Sequence, residues 1–507
     1  MNPLSSVIAW WLKRRMSQIE LVMASPVETQ QQQWKYLLEK GKHTAWGKQH
    51  AFSTLERMDD FRQSVPSLAY EDYFPWIERA MKGEENVLWP GKPVAFSKSS
   101  GTTNDRNKFI PVTEDSLEQC HYKGGKDLIS LYLNYRPDSA VLSGKNLAMG
   151  GSLHPNPYQP DGICGDISAV IMQNLPAWAQ WIRTPSLEVA LMDRWESKIE
   201  RMVESTLSEN VTSLSGVPTW MLVLLNRILE KTGSRSVKDV WPNLEVFLHG
   251  AVSFTPYREV FRNIIPEKDM YYLETYNASE GFFGIQDDLS LEGQMLLMLD
   301  YGIFYEFAPL EEANEKFPRT IGLDEVEIGK NYALIISTNG GLWRYKIGDT
   351  IRFTSLNPFR IQVSGRTRHY INAFGEEVMV DNAELALSRA CAATGAEVVE
   401  FTLAPEFMKA GVQGRHEWLI EFSRGPGNPD DFSRILDEEL RKINADYDAK
   451  RYQDIALLQA KVHQAPAGLF YEWMKSRNKL GGQHKVPRLS NSREYLDPLL
   501  ELAAALA

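Results

Sequence analysis

"LEVFLHGAVSFTPYREVFRNII", residues 244–265, decides the fold class. Its opening, Leu244 to Leu248, is a short apolar run with β-branched and aromatic side chains, the composition of a buried strand. A turn of small residues follows, and Pro256 stands at a helix start, where a missing backbone amide costs nothing. Strand, turn and helix in close succession are the building unit of an open α/β sheet. The pattern extends outward: "MYYLETYNASEG" (270–281) and "NYALIISTNGGLWRYKIGDT" (331–350) each run a β-rich segment into a glycine-containing turn. Ligands collect at such strand ends in α/β sheets.

After residue 364 the order changes to a helix from Asp381 to Thr394 stopped by Gly395, strands at Glu397–Leu403 and Trp418–Phe422, a helix from Asp431 to Asn444 and a strand from Ile455 to Val462. This is a split βαβ arrangement of its own. The 507 residues exceed what one hydrophobic core organises. The expected architecture is a large N-terminal α/β domain, 1–364, and a small C-terminal α+β domain, 365–507, with a hinge near 364–370.

The composition, 43% hydrophobic and 24% charged, is that of a globular protein, and the formal charge of -11 argues against a general nucleic-acid binder. Cys120, Cys164 and Cys391 are too scattered for a disulfide framework or a C-x-x-C metal site, which points to a reducing cytoplasm. At the N-terminus the apolar run Val7 to Leu12 is too short to span a bilayer. Val7, Ile8, Trp11 and Leu12 form instead one stripe of an amphipathic helix docking on the body.

Three segments carry chemistry. "AFSKSSGTTNDRNKFIPVT" (95–113) packs hydroxyls around Gly101 and adds Lys108, a composition suited to surrounding an anion with donors. The stretch Ser97 to Ile110 reads as a loop between a strand and a helix that starts after Thr113. Counted from Gly101, the second glycine of a Walker A loop falls on Arg106, and the spaced glycines of a dinucleotide fingerprint are missing. Tyr276 to Gly281 places Glu280 at a strand end, where a single carboxylate with phosphate oxygens and water suits Mg²⁺. Arg344 to Asp349 offers a carboxylate that can accept both hydroxyls of a ribose. Together they supply the parts of an ATP site. Competing chemistries lack support: there is no G-x-S-x-G elbow, and "HEWLI" at His416 fails H-E-x-x-H.

In order and spacing, the three segments resemble the signature motifs of the acyl acid amido synthetases that conjugate auxin and jasmonate in plants, a family with bacterial members inside the adenylate-forming superfamily of acyl-CoA ligases and luciferase. Ser99, Ser100, Gly101, Thr102, Thr103 and Lys108 match the first motif, with Asp105 where the family usually has glycine. Tyr276 to Gly281, with Ser279, and Tyr345 to Asp349 match the second and third. "SGRTRHYINAFGEEV" (364–378) is similar to the interdomain segment, and "DISAVIMQNLPAW", "GVPTWM" and "HGAVSFTPYR" extend the likeness.

The resemblance implies ATP and Mg²⁺ as cofactors, and a small-molecule acyl acid and an amino acid as partners. The hydroxyls of 99–103 and Lys108 would face the phosphates, Glu280 the metal and Asp349 the ribose. Gly250 and Ser253 would contact the base or the acyl group. A mobile small domain would carry Lys485 to the phosphates. An acyl-CoA ligase with a thiol acceptor is the nearest alternative; a nucleotide-binding protein that has lost catalysis is the other.

Overall fold

In the computed structural model the described residues are 3–99, 108–175, 177–251, 254, 257–266, 268, 270–366, 370–371, 373–374, 376, 378–407, 413–444, 447–448, 451, 457–477, 486–490 and 492–506, with 3–13, 99, 177–178, 195–196, 219, 366 and 370 described through their backbone alone. The chain divides into two compact units, Met1–Val252 with Glu267–Val363, and Ser253–Pro266 with Ser364–Ala507.

In chain order the strands of the first unit are β1 (Ala95–Ser99), β2 (Lys108–Val112), β3 (Lys145–Ala148), β4 (Leu153–Asn156), β5 (Gln159–Gly165), β6 (Arg183–Thr184), β7 (Val211–Gly216) and β8 (Val246–Gly250). They continue with β9 (Tyr271–Ala278), β10 (Gly281–Ile285), β11 (Met295–Leu297), β12 (Ile303–Pro309), β13 (Asn331–Thr338), β14 (Tyr345–Leu356) and β15 (Phe359–Arg366). Among the described residues an 11-stranded sheet runs in the order β12-β13-β14-β15-β11-β10-β9-β8-β7-β3-β6. From β6 to β9 neighbouring strands are parallel. From β9 through β10 and β11 to β15, and from β12 to β14, the pairings recorded are antiparallel. β9 therefore belongs to both halves, and the turn at its end holds Ser279 and Glu280. Strands β7 and β8 are buried almost throughout, as parallel strands covered on both faces must be. The helix between them, Pro218–Thr232, has proline in its first turn and ends on left-handed Gly233.

A second sheet, β2-β1-β5-β4, carries the hydroxyl-rich segment. Here the structure corrects the sequence expectation of a loop between strand and helix. β1 and β2 pair antiparallel from Ala95↔Val112 to Ser99↔Lys108, so residues 100–107 join the two strands of a hairpin. Pro111 lies on β2, an edge strand, where a missing amide is tolerated. The helix does begin at Thr113, whose hydroxyl accepts from Ser116 N at 3.0 Å in a capping box.

The N-terminal helix Pro3–Ala24 docks on this unit through buried Ile19 and through Arg15, paired with Asp127 at 2.8 Å and Asp300 at 2.9 Å. The expected stripe of Val7, Ile8, Trp11 and Leu12 lies outside the described side chains. No described helix is long and apolar enough to cross a membrane.

In the second unit β16 (Tyr370–Ile371) pairs with β17 (Val378–Met379). β18 (Glu397–Glu406), β19 (Arg415–Arg424) and β20 (Lys461–Ala465) form a three-stranded sheet. β18 is antiparallel and β20 parallel to β19, with helix Pro429–Ile443 as the crossover. Alternation along β19 sends Trp418 and Ile420 into a core with Leu387 and Leu436, and Leu419 into another with Phe470 and Leu496. Helix Val380–Thr394 ends at Gly395, φ 70°, where the sequence placed its stop. Among the described residues the last strand lies at 461–465, with 457–460 outside it; residues 455 and 456 of the expected strand at 455–462 lie outside the described residues. Leu457 is fully buried and makes only an isolated bridge to Gly414, so its apolar character reflects core packing and not a ladder.

One buried histidine sets an acid limit on the fold. His121 ends the π-helical turn Leu117–His121, and burial pushes its pKa down to about 4. Below pH 6.5 the unfolded chain binds a proton that folded His121 refuses. Its contribution is thus fully present above pH 6.5 and lost as pH falls toward 4, about 3 kcal/mol in all. His121→Leu is expected to flatten the acid limb of stability measured by urea unfolding at pH 7 and pH 5; an unchanged slope contradicts this.

Candidate active site

The three sequence segments meet in the first unit through named bonds. Ser97 Oγ on β1 donates to Ser279 Oγ in the β9–β10 turn at 2.8 Å, both side chains being buried. Tyr276 on β9 donates its hydroxyl to Asp349 Oδ2 on β14 at 2.5 Å, again between buried side chains. The first links the hydroxyl-rich segment on β1 to the Glu280 turn, and the second links β9 to the third motif across 73 residues of sequence.

Each element has a local reason for its shape. In β14, Lys346 pairs with Ile335 and Thr350 with Ala333, leaving Ile347, Gly348 and Asp349 opposite Leu334. This bulge needs left-handed Gly348, φ 89°, and it re-aims Asp349. Arg344, the first residue of the third segment, is fully buried and serves the frame. Its guanidinium pairs with Glu306 at 3.0 Å and donates to Thr320 Oγ1 and to the carbonyls of Arg62 and Val65. Gly250 ends β8, where a Cβ would lie 2.5 Å from Thr275 O, so β8 and β9 approach closely only because it is glycine. Ala251 follows in left-handed backbone, φ 72°, a strained turn at the same strand end.

Lys108 is the Cα partner of Ser99, which places it at the base of the hairpin, and its ammonium lies 5.7 Å from the Tyr70 ring centre. Tyr70 accepts from Phe109 N through its hydroxyl at 2.8 Å. The segment before Tyr70 bridges to β14: Leu68 N donates to Arg344 O and Lys346 N to Leu68 O. Tyr345 sits on that bridge. Its hydroxyl is fully buried, makes no hydrogen bond among the described residues, and is raised well above the usual tyrosine range by burial first and then by Glu280, Tyr70, Glu71 and Asp349. An unbonded buried hydroxyl costs about 1–3 kcal/mol.

Among the described residues no group of three or more His, Cys, Asp or Glu is arranged for a metal. The donor set fits Mg²⁺ held by one carboxylate, Glu280, with the remaining positions filled by phosphate oxygens and water. Asp349 on its bulge and Lys108 at the hairpin base fit a nucleotide sugar and phosphates. Ser100, Gly101, Thr102, Thr103, Ser253 and Lys485 lie outside the described residues, as do Asp105, Pro256 and His369; Ser99 is described at its backbone only.

The sequence passed over Ser97, Tyr70 and Lys198. Ser97 lies on β1 within the hydroxyl-rich segment, and its place in a β-rich run could have marked it. Tyr70 and Lys198 carry no local signal. Lys198 is buried beneath the turn after β3 and donates to Gly150 O at 2.5 Å and Gly151 O at 3.1 Å; burial lowers its pKa to about 8 against the pull of Asp166 and Asp193.

The large mixed sheet, followed in the chain by an α+β unit, is a fold shared with solved ligases. A 2-hydroxyisobutyryl-CoA ligase in complex with 2-HIB-AMP superposes with a TM-score of 0.62 at 12% identity over 94% of this chain and 91% of its own. The GH3.15 acyl acid amido synthetase superposes with a TM-score of 0.79 at 17% identity over 97% and 96%. The models of the GH3 family N-terminal, central and C-terminal domains match residues 15–270, 296–366 and 381–494, and the chain belongs to the GH3 family. The indole-3-acetic acid-amido synthetase GH3.4 of Arabidopsis thaliana is 22% identical over 96% of this chain and 92% of its own length.

Proposed function

We propose that this protein is an ATP-dependent acyl acid amido synthetase. A carboxylate oxygen of an acyl acid attacks the α-phosphorus of ATP, the bond to the bridging oxygen breaks, and pyrophosphate leaves. The amine of an amino acid then attacks the acyl carbon of the mixed anhydride, and AMP departs with the carboxyl oxygen. Neither half-reaction needs a protein nucleophile, because orientation and charge stabilisation supply the rate.

The observation that supports this reading best is the pair of buried bonds, Ser97 to Ser279 and Tyr276 to Asp349, which hold all three motifs on one frame. On that frame Lys108 faces the pyrophosphate charge, Asp349 accepts the ribose hydroxyls and Glu280 holds Mg²⁺, which when bound neutralises phosphate charge. Ser99, Ser100, Gly101, Thr102 and Thr103 cradle the phosphates, Gly250 and Ser253 border the base, and Lys485 joins the phosphates in one half-reaction only. A cytoplasmic site of action belongs to the same proposal, the three cysteines being free.

The acceptor is tested by AMP release in the presence of an acyl acid. Stimulation by amino acids, with the amide found by mass spectrometry, is expected. Stimulation by coenzyme A alone replaces the proposal with a thioester-forming ligase.

A further inference from the structure

We infer that Arg488 is a positioning residue for the strand end at Gly250–Ala251: by holding Tyr257 it sets the geometry of the turn that follows β8. This rests on the proposed place of Gly250 beside the base and assigns a role to two side chains that have none in that scheme.

The chain leaves the large sheet at Gly250, and Ser253–Pro266 belongs to the second unit before the chain returns as β9. Within that unit Arg488 is fixed by its own backbone. Pro487 O accepts from Thr402 Oγ1 at 2.6 Å, Arg488 O accepts from Leu403 N at 2.9 Å, and Ser490 N donates to Leu403 O at 3.1 Å, so 487–490 lie along β18. The guanidinium pairs with Glu400 at 2.9 Å, lies 3.7 Å from Glu384 and 4.5 Å from the Phe401 ring centre, and donates to the Tyr257 hydroxyl. Two carboxylates already balance the buried cation, so the bond to Tyr257 is not needed to neutralise it. That bond is directed instead to the segment after β8. Farther along the same segment, Asn263 donates to Glu397 Oε1 on β18 at 2.6 Å, which ties helix Arg258–Ile264 near both of its ends to one strand.

Tyr257 passes this anchoring back toward the large sheet. It is buried, its amide donates to Phe254 O at 2.9 Å, and the Phe254 ring packs on Phe261 at 5.3 Å between centres. Fixing Tyr257 therefore fixes Phe254, three residues from Ala251. Ala251 holds left-handed backbone, φ 72°, a conformation that persists only where its neighbours over-determine it. On one side the neighbour is Gly250, fitted closely against Thr275 O; on the other it is the Phe254–Tyr257 turn.

The test compares Tyr257→Phe, Arg488→Lys and the double variant. Phenylalanine keeps the ring and loses the acceptor; lysine keeps a charge facing Glu400 and Glu384 and loses the planar fork. Three quantities are read on the full chain: calorimetric affinity for AMP, calorimetric affinity for Mg-pyrophosphate, and amide hydrogen exchange of a peptide spanning 250–254. Each single variant is expected to bind AMP about 5-fold more weakly, to bind pyrophosphate as the wild type does, and to exchange faster at 250–254. The double variant is expected to match the single variants, because both substitutions remove one interaction. Unchanged AMP affinity overturns the inference, and so does a full additional loss in the double variant. AMP and pyrophosphate weakened alike give the bond a purely structural role and overturn it too. Exchange at the wild-type rate in both single variants overturns the anchor alone and leaves the functional proposal standing. Wild-type protein that binds neither AMP nor pyrophosphate overturns the functional proposal itself, and this inference with it.

Discussion

Asp349→Ala is expected to raise the KM for ATP about 100-fold while the protein remains folded. The size follows from losing charge-assisted bonds to two ribose hydroxyls, each worth roughly 1.5–3 kcal/mol, part of which water recovers. Asp349 is buried, and its Oδ2 accepts from Tyr276 at 2.5 Å, so alanine also removes that buried acceptor from Tyr276. Asp349→Asn separates the effects: it keeps an acceptor for Tyr276 and loses only the charge, so its melting temperature stays near wild type while its KM for ATP rises. An unchanged ATP dependence in both variants removes Asp349 from the nucleotide site. The bulge around Gly348 would then be a feature of the sheet alone.

Glu280→Gln carries the other large effect. With one carboxylate proposed for the metal, its loss is expected to lower the rate of adenylation by about 100- to 1000-fold, in line with the several kcal/mol a bound cation supplies to phosphate chemistry. Raised Mg²⁺ should restore part of the rate, since phosphate oxygens still offer ligands. The variant should fold normally, because Glu280 stands half-exposed in a two-residue turn. Full activity at ordinary Mg²⁺ contradicts the metal assignment.

What could be read without coordinates was local. Strand periodicity marked β8 and β9, Gly395 marked the end of helix Val380–Thr394, and Thr113 marked the start of the next helix after the hydroxyl-rich segment. Pairing between distant segments left no such trace. Nothing in "KFIPV" announces that it lies beside β1, because a proline on an edge strand and a proline in a loop look alike from within five residues. The run before β20 misled for a related reason: burial makes residues apolar whether or not their backbone enters a ladder.

The candidate site divides in the same way. Glu280 and Asp349 were visible because each stands beside a glycine at the end of a β-rich run. Tyr70 was invisible, since what brings it to Lys108 is the bridge of Leu68 to β14, a contact across hundreds of residues. The two cations before Asp349 also proved to serve the frame. Arg344 is locked to Glu306, and Lys346 donates to the Glu315 carbonyl. Sequence shows which residue types are present at a strand end, and the fold decides which of them face the ligand.

The most direct test of the central claim is ATP–pyrophosphate exchange by the purified protein with Mg²⁺ across a panel of aromatic, indole-type and fatty carboxylic acids. The account predicts exchange that requires both Mg²⁺ and one class of acid, and that disappears in Asp349→Ala. Exchange that proceeds without any acid, or none with any acid although Mg-ATP binds, would contradict it.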